Sequence, residues 1–223
     1  MVARALFGRV VRPPYVWVRH SLNAALFDRR FGVDTEGTIH PEELGFSDDR
    51  CIRYAPAGLA SLRRILPPRE VDDSDFLLDM GSGKGRVVLQ AALSYSFSRI
   101  YGVELSEQLH EVAERNVAAS RDRLRCPDVR LVNANALDYE IPDDVTVVWL
   151  YNPFVGEILE TFVERLLASV DRAPRRVRVI YGNPHEEATL LRTGRFRQVR
   201  ALRGWRPGEE WSRSNSYRMY EVA

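Results

Sequence analysis

The chain has 223 residues, 45% of them hydrophobic, which is enough for one domain with a substantial core. Its net charge of +1 gives no overall field that would recruit nucleic acid or an acidic membrane surface. Two cysteines form neither a disulfide framework nor a metal pattern, and no run approaches the roughly 18 apolar residues of a membrane span. We therefore expect a cytoplasmic protein without a metal ion, and its oligomeric state stays open.

Residues 1–66 precede the first predicted strand, and we interpret them as an N-terminal helical cover or lid on a domain formed by residues 67–223. His20 to Phe31 is predicted to be a short helix, followed by a loop. A second helix is predicted from Arg53 to Leu66, with Pro56 in its first turn. The basic and aromatic first 20 residues could contact a membrane surface or a partner, but such a cluster is more often a solvated face.

The stretch FLLDMGSGKGRVVLQAA, residues 76–92, predicts a buried strand, a glycine turn and the beginning of a helix. The apolar run at its start has no alternation, as is typical of a strand that is covered on both faces. Glycines at 81, 83 and 85 allow a sharp turn and a close approach to a ligand. The apolar residues after Arg86 recur with helical spacing.

The spacing of these glycines separates two kinds of ligand. A dinucleotide turn has the pattern GxGxxG, but its third glycine position holds Arg86 here. Asp79, two residues before the first glycine, would repel a pyrophosphate and suits a cationic amino-acid tail. Glu104 ends the next predicted strand, which begins at Arg99, and can accept both hydroxyls of a ribose. The pattern therefore disfavours a nicotinamide cofactor.

Strands and helices alternate through the rest of the chain. Helices are predicted at 106–124 and 156–170, and strands at 128–132, 145–150 and 177–181. Two alternating segments, 196–202 and 217–222, predict a C-terminal β-hairpin. This order predicts an α/β fold with a doubly wound, mostly parallel sheet and an antiparallel C-terminal hairpin.

Four stretches resemble the class I S-adenosylmethionine-dependent methyltransferases. They are DMGSGKGR at 79–86, GVEL at 102–105, NANA at 133–136 and YNPF at 151–154. The first stretch is most similar to the Dot1-like and related lysine methyltransferases, and the resemblance spans about residues 75–185. It implies a seven-stranded Rossmann-like methyltransferase fold, S-adenosyl-L-methionine as cofactor and S-adenosyl-L-homocysteine as product.

The resemblance also implies which residues contact the cofactor. Asp79 would favour the cationic methionine portion, and Glu104 would bind the ribose hydroxyls. Relatives often carry an aspartate that accepts a hydrogen bond from the adenine amino group; Asn135 takes that position here, with Asp138 as the alternative. Tyr54 would lie near the methionine end of the cofactor, or it is only a buried aromatic side chain that packs in the core. The predicted cofactor-binding residues are Tyr54, Asp79, Gly81, Ser82, Gly83, Gly85, Glu104, Leu105, Asn135, Ala136 and Asn152.

Asn152-Pro153-Phe154 is the first catalytic candidate, because it resembles the [DN]PP[FYW] tetrapeptide of amino-group methyltransferases with one proline missing. In those enzymes the Asn side-chain oxygen and the next carbonyl accept the N–H bonds of the target nitrogen. Phe154 or Tyr151 would offer an aromatic face to the developing cation. In the alternative interpretation Asn152 caps the following helix and Pro153 is its first residue.

His185 is the second catalytic candidate, as a general base. It would be central to a small-molecule O-methyltransferase, whereas Asn152 would be central to in-line transfer to a nitrogen of a protein or a small-molecule amine. A non-catalytic protein that keeps the cofactor-binding fold is a further alternative. Trp205, Arg206 and Trp211 could form a substrate rim or pack over the sheet edge. The sequence carries no strong nucleic-acid signal.

Overall fold

A computed structural model of the chain describes residue 18 and residues 21–45, 52–203 and 216–222. Its centre is one sheet of seven strands: Phe76–Met80 (β1), Arg99–Glu104 (β2), Asp128–Asn133 (β3), Val147–Leu150 (β4), Val177–Gly182 (β5), Phe196–Leu202 (β6) and Tyr217–Val222 (β7). The strand order is β3-β2-β1-β4-β5-β7-β6.

Strands β1 to β5 are parallel to one another, and β7 runs antiparallel to both β5 and β6. The predicted doubly wound sheet with an antiparallel C-terminal hairpin is confirmed. The reversed strand is not the edge strand, because β7 lies between β5 and β6.

Helices cover both faces of the sheet. They are Ser61–Ile65 (α1), Arg86–Ser94 (α2), Glu107–Ser120 (α3), Glu157–Arg172 (α4) and Glu187–Leu191 (α5). Side chains of β1 alternate between two buried clusters: Leu77 packs with the α1 and α2 side, and Leu78 packs with α4 residues such as Phe162. The carboxyl ends of the parallel strands are therefore the open edge where a ligand can bind.

The predicted helix from Arg53 to Leu66 is wrong in its first half. Residues 52–58 carry no helix, and Tyr54 forms an isolated antiparallel bridge with Ile39, so helix α1 begins only at Ser61. The residue before Pro56 is biased towards extended backbone, and Gly58 weakens a helix further. The hydrogen bond from the Tyr54 hydroxyl to the Thr35 carbonyl oxygen (2.7 Å) then fixes the extended course.

The predicted N-terminal helix is present as a π-helical turn, Ala24–Asp28, that continues into an α-helical turn, Arg29–Phe31. It ends at Gly32, which has a left-handed backbone conformation (φ 68°). Predictions for the basic and aromatic residues 1–17 lie outside the described residues, as do those for Trp205, Arg206 and Trp211. No helix in the described part of the chain is long and apolar enough to cross a membrane.

Candidate cofactor and active site

A cleft of about 1040 Å³, partly open to solvent, lies beyond the carboxyl ends of β1, β2 and β4. The structure brings most of the predicted site residues to its wall: Tyr54, Asp79, Gly81, Ser82, Glu104, Leu105, Asn135, Ala136, Tyr151, Asn152, Pro153 and Phe154. Gly83, Gly85 and His185 do not line it. One cleft thus collects the candidates for cofactor binding and for methyl transfer.

The glycines of the turn after β1 allow close packing against protein groups as well as a ligand. All three have left-handed φ values, 79° at Gly81, 54° at Gly83 and 77° at Gly85. A β-carbon at Gly81 would lie 2.3 Å from the Pro153 β-carbon, and one at Gly83 would lie 2.3 Å from the ring of Tyr54. Two walls of the cleft, at Pro153 and Tyr54, therefore rest directly on the glycine turn.

The Glu104 carboxylate is held in place by two backbone amides. The Gly83 N–H donates to Oε2 (2.8 Å) and the Ser106 N–H donates to Oε1 (2.9 Å). Burial raises the pKa of Glu104, and these amide hydrogen bonds oppose that rise. Each oxygen keeps acceptor capacity beyond its amide bond, which fits the two hydroxyls of a ribose.

Asp79 is the more isolated of the two carboxyl groups. It is 2% exposed, and no side chain or amide in the described part of the chain donates a hydrogen bond to it. Burial, with repulsion from Glu104 as the smaller cause, raises the pKa of Asp79 to about 8. A buried carboxyl group without a partner is costly, and a cation would relieve that cost. The buried Asp79 carboxylate therefore fits the ammonium group of the methionine portion of S-adenosylmethionine.

The raised pKa of Asp79 predicts a specific pH dependence of stability. Between about pH 4 and pH 8 the folded protein without cofactor holds a proton on Asp79 that the unfolded chain has lost. The contribution of this group to stability therefore falls as pH rises, by up to about 1.4 kcal/mol per pH unit. We expect the free energy of unfolding of Asp79→Asn, relative to the original protein, to rise with pH in denaturant titrations at pH 5 to 8. A pH-independent difference would contradict this prediction.

Asn135 is fixed in a turn at the cleft wall. Its Oδ1 accepts the Leu137 N–H (2.9 Å), and its carbonyl oxygen accepts the amides of Asp138 and Tyr139. The Asp138 side chain is exposed and does not line the cleft. Of the two residues predicted to contact adenine, Asn135 lines the cleft and Asp138 does not.

Asn152 has a left-handed backbone conformation (φ 49°) and is 7% exposed. Its Oδ1 accepts a hydrogen bond from the Tyr181 hydroxyl (3.1 Å), and the Pro153 carbonyl oxygen accepts one from the Ile52 N–H (3.4 Å). Helix α4 begins at Glu157, with Gly156 as its cap. The interpretation of Asn152 as a helix cap is therefore wrong. Asn152 and Pro153 both line the cleft, and each of these two oxygens already accepts one hydrogen bond.

Aromatic side chains surround these acceptors. Tyr151 stacks on Tyr217 with 5.8 Å between ring centroids, and Trp149 lies 5.3 Å from the same ring. Phe154 packs against Phe162 (6.0 Å). Trp149 also lines the cleft, which was not predicted, because Trp149 lies within an apolar strand and such a strand predicts only a core position.

Arg86 is a second lining residue that the sequence prediction missed. In the sequence, Arg86 only marks a departure from the dinucleotide pattern, because its partners Thr35 and Asp28 are distant along the chain. His185 is exposed in the loop after β5 and lies outside the cleft wall, so the structure does not bring it to the candidate acceptors. The described residues contain no group of three or more side chains that could hold a metal ion.

Comparison with known proteins identifies the family of this chain. The model of the family described as Histone methylation protein DOT1 matches residues 57–170, which is about half of the chain. The chain belongs to this family. It is an S-adenosylmethionine-dependent methyltransferase, and the buried acids and glycine turn of the cleft fit that cofactor.

Two curated relatives are similar to parts of this DOT1-family chain. A protein-lysine N-methyltransferase from Saccharolobus islandicus is 26% identical over 136 residues, which cover 60% of this chain and 83% of the relative. A probable ribosomal RNA small subunit methyltransferase A from Methanopyrus kandleri is 28% identical over 93 residues, but these cover only 42% of this chain and 31% of that protein.

Solved structures at lower identity share the fold. Precorrin 8W decarboxylase from Methanobacterium thermoautotrophicum has a TM-score of 0.54 at 20% identity, covering 76% of this chain and 92% of that chain. A SAM-dependent methyltransferase from Aquifex aeolicus has a TM-score of 0.53 at 12% identity, covering 83% and 100%. The DOT1-family chain thus has the seven-stranded architecture of these proteins.

Proposed function

We propose that this methyltransferase transfers the methyl group to a nitrogen of a protein side chain, and that the acceptor is a lysine. The observation that carries the proposal is the pair of acceptor oxygens at Asn152 and Pro153. Both lie at the cleft wall, and the Tyr181 hydroxyl holds the side chain of Asn152. A protein-lysine N-methyltransferase among the relatives supports the same acceptor class.

A neutral amine presents two N–H donors and one lone pair. If the Asn152 and Pro153 oxygens accept the two N–H bonds, the lone pair is aimed at a third direction, which in-line transfer requires to be the methyl group. The cofactor supplies an activated methyl group when bound. The task of the chain is therefore to align the amine and exclude water rather than to activate a nucleophile.

The aromatic wall suits the cation that forms on the nitrogen. Trp149, Tyr151 and Phe154 all line the cleft, and Tyr151 and Phe154 flank the Asn-Pro pair in sequence. An aromatic face stabilises a nearby ammonium by about 1–2 kcal/mol when water is excluded. A small-molecule amine would use the same groups.

A hydroxyl acceptor is the weaker candidate. Transfer to oxygen requires a base for the hydroxyl proton, and His185, the residue predicted for that role, is exposed and outside the cleft wall. Asp79 and Glu104 are the carboxyl groups that line the cleft among the described residues. Both are assigned to the cofactor here.

The acceptor class can be tested with tritiated S-adenosylmethionine and a cell extract from the source organism. We expect protease-sensitive, nuclease-resistant label that is recovered as methylated lysine after acid hydrolysis. The chain itself contains one lysine, the buried Lys84, so self-methylation adds little background. Label found only in RNA, or released by mild base as from an ester, would contradict the proposal.

A further inference from the structure

The cleft has a wall that lies outside the family match. Residues 28–44, called the arm below, precede the matched residues 57–170. Pro41 and Leu44 of the arm line the cleft. The Thr35 carbonyl oxygen of the arm accepts the hydroxyl of Tyr54, whose ring rests on Gly83. Burial raises the pKa of Tyr54, which keeps this hydroxyl a neutral donor.

Arg86 joins the glycine turn to the arm. Its side chain is 2% exposed. Its Nε donates to the Thr35 hydroxyl oxygen (2.7 Å), and its Nη2 lies 2.6 Å from Glu36 Oε1 and 3.5 Å from Asp28 Oδ1. A guanidinium at the cleft wall is therefore matched by two carboxylates of the arm.

Lys84 forms a second connection between the same two parts. Its Nζ donates to both carboxylate oxygens of Asp34 (2.9 and 3.0 Å) and to the Glu36 carbonyl oxygen (2.9 Å). Asn116 of α3 completes it, because its Nδ2 donates to the carbonyl oxygens of Asp34 (2.7 Å) and Lys84 (2.9 Å). Unlike Arg86, Lys84 does not line the cleft.

Asp28 folds the arm back on itself. Its Oδ2 accepts the amides of Thr35 (2.9 Å) and Glu36 (3.0 Å), and its Oδ1 accepts the Thr35 hydroxyl (2.5 Å). Asp28 and Thr35 are buried, as are Lys84 and Arg86. Removing one member of such a network leaves a buried charge without its partner, which is strongly destabilising.

The charged side chains in the cleft wall affect binding of the cationic cofactor. The cationic cofactor must enter a cleft that is lined by Asp79 and Glu104, with the guanidinium of Arg86 also in the wall. An unmatched Arg86 would repel the cofactor and pair with the acids that the cofactor needs. The arm removes this competition by supplying Asp28 and Glu36.

We propose that Lys84 and Arg86 are positioning residues that couple closure of the arm to cofactor binding. They act through the glycine turn and Tyr54, and their ion pairs with the arm favour its closed position, in which it forms a wall of the cleft. The proposal rests on the cofactor class of the enzyme and is independent of the methyl acceptor. Binding of S-adenosylhomocysteine therefore tests it even if the acceptor proposal fails.

The single lysine makes the arm directly measurable. We would acetylate the protein with an amine-reactive ester and follow Lys84 by mass spectrometry, with the N-terminal amine as internal control. Lys84 is buried and does not line the cleft, so S-adenosylhomocysteine protects it by stabilising either the closed arm or the whole fold. Acetylation of the ligand-free protein that is faster than its global unfolding, measured in parallel, identifies opening of the arm. We expect at least fivefold slower acetylation with saturating S-adenosylhomocysteine and no change at the N-terminus. Equal rates with and without it would overturn the proposal.

Variants supply the second test. We expect the Arg86→Gln variant to bind S-adenosylhomocysteine at least tenfold more weakly than the original protein, and the Arg86→Lys variant to recover part of that loss. Arg172→Gln is the control, because it removes an exposed ion pair on α4, and it should bind normally. If Arg86→Gln does not fold, Asp34→Asn serves instead, because the Asp34 side chain is 66% exposed, and it should speed acetylation of Lys84. A folded Arg86→Gln protein with unchanged binding would refute the coupling.

Discussion

Replacing Glu104 by alanine is expected to weaken S-adenosylhomocysteine binding by tenfold or more. The carboxylate is already oriented by the amides of Gly83 and Ser106, so its contact with two ribose hydroxyls needs little further ordering. Loss of such a charge-assisted contact costs on the order of 2–3 kcal/mol. Calorimetric titration measures the change, and NADH titrated under the same conditions should not bind.

Two further variants separate the ribose contact from the support of the glycine turn. Glu107→Ala removes an exposed acid from the first turn of α3 and should leave binding unchanged. Glu104→Gln keeps one acceptor oxygen and should lose less affinity than the alanine variant. Unchanged affinity of Glu104→Ala would show that the ribose is bound elsewhere.

Replacing Asn152 by alanine is expected to reduce the rate of methyl transfer on the order of 10²-fold, because a misaligned nucleophile loses that much. The affinity for S-adenosylhomocysteine should change far less, since the carboxyl groups that hold the cofactor remain. Single-turnover transfer from labelled cofactor, with binding measured separately, distinguishes the two effects.

Tyr181→Phe is the matched variant for this prediction. It keeps the buried ring and removes only the hydroxyl that donates to Asn152 Oδ1. The amide is then less well oriented but still present, so we expect a smaller loss of rate than in Asn152→Ala. Transfer by Asn152→Ala at the original rate would contradict the role of Asn152 as an amine acceptor.

The sheet was predictable because β1, β4 and β5 are buried along their whole length, which gives mostly apolar runs, and because β6 and β7 have alternating patterns. The observed bounds of β2, β6 and β7 agree with those expected from the sequence. Residues 53–60 were wrongly predicted as helix, because local apolar spacing carried no information about the bridge from Tyr54 to Ile39.

The site was predictable where topology alone determines position. Asp79, Glu104 and Asn152 lie at or just beyond the carboxyl ends of neighbouring strands, so their meeting at one sheet edge follows from the strand order. The pairing of Arg86 with Asp28 spans 58 residues and depends on how the arm folds back, which no local pattern encodes. His185 also follows a strand, but the course of the loop after β5 leaves it exposed.

The position of β7 has a consequence for how the enzyme forms during synthesis. Strand β6 hydrogen-bonds only to β7 within the described sheet, so it has no partner until the later strand has left the ribosome. Tyr217 of β7 also supports Tyr151 and Trp149 at the cleft. The nascent chain therefore carries an unpaired strand and an incomplete cleft until β7 emerges. A chain that ends before β7 would therefore leave β6 unpaired and Trp149 and Tyr151 without the supporting Tyr217 ring.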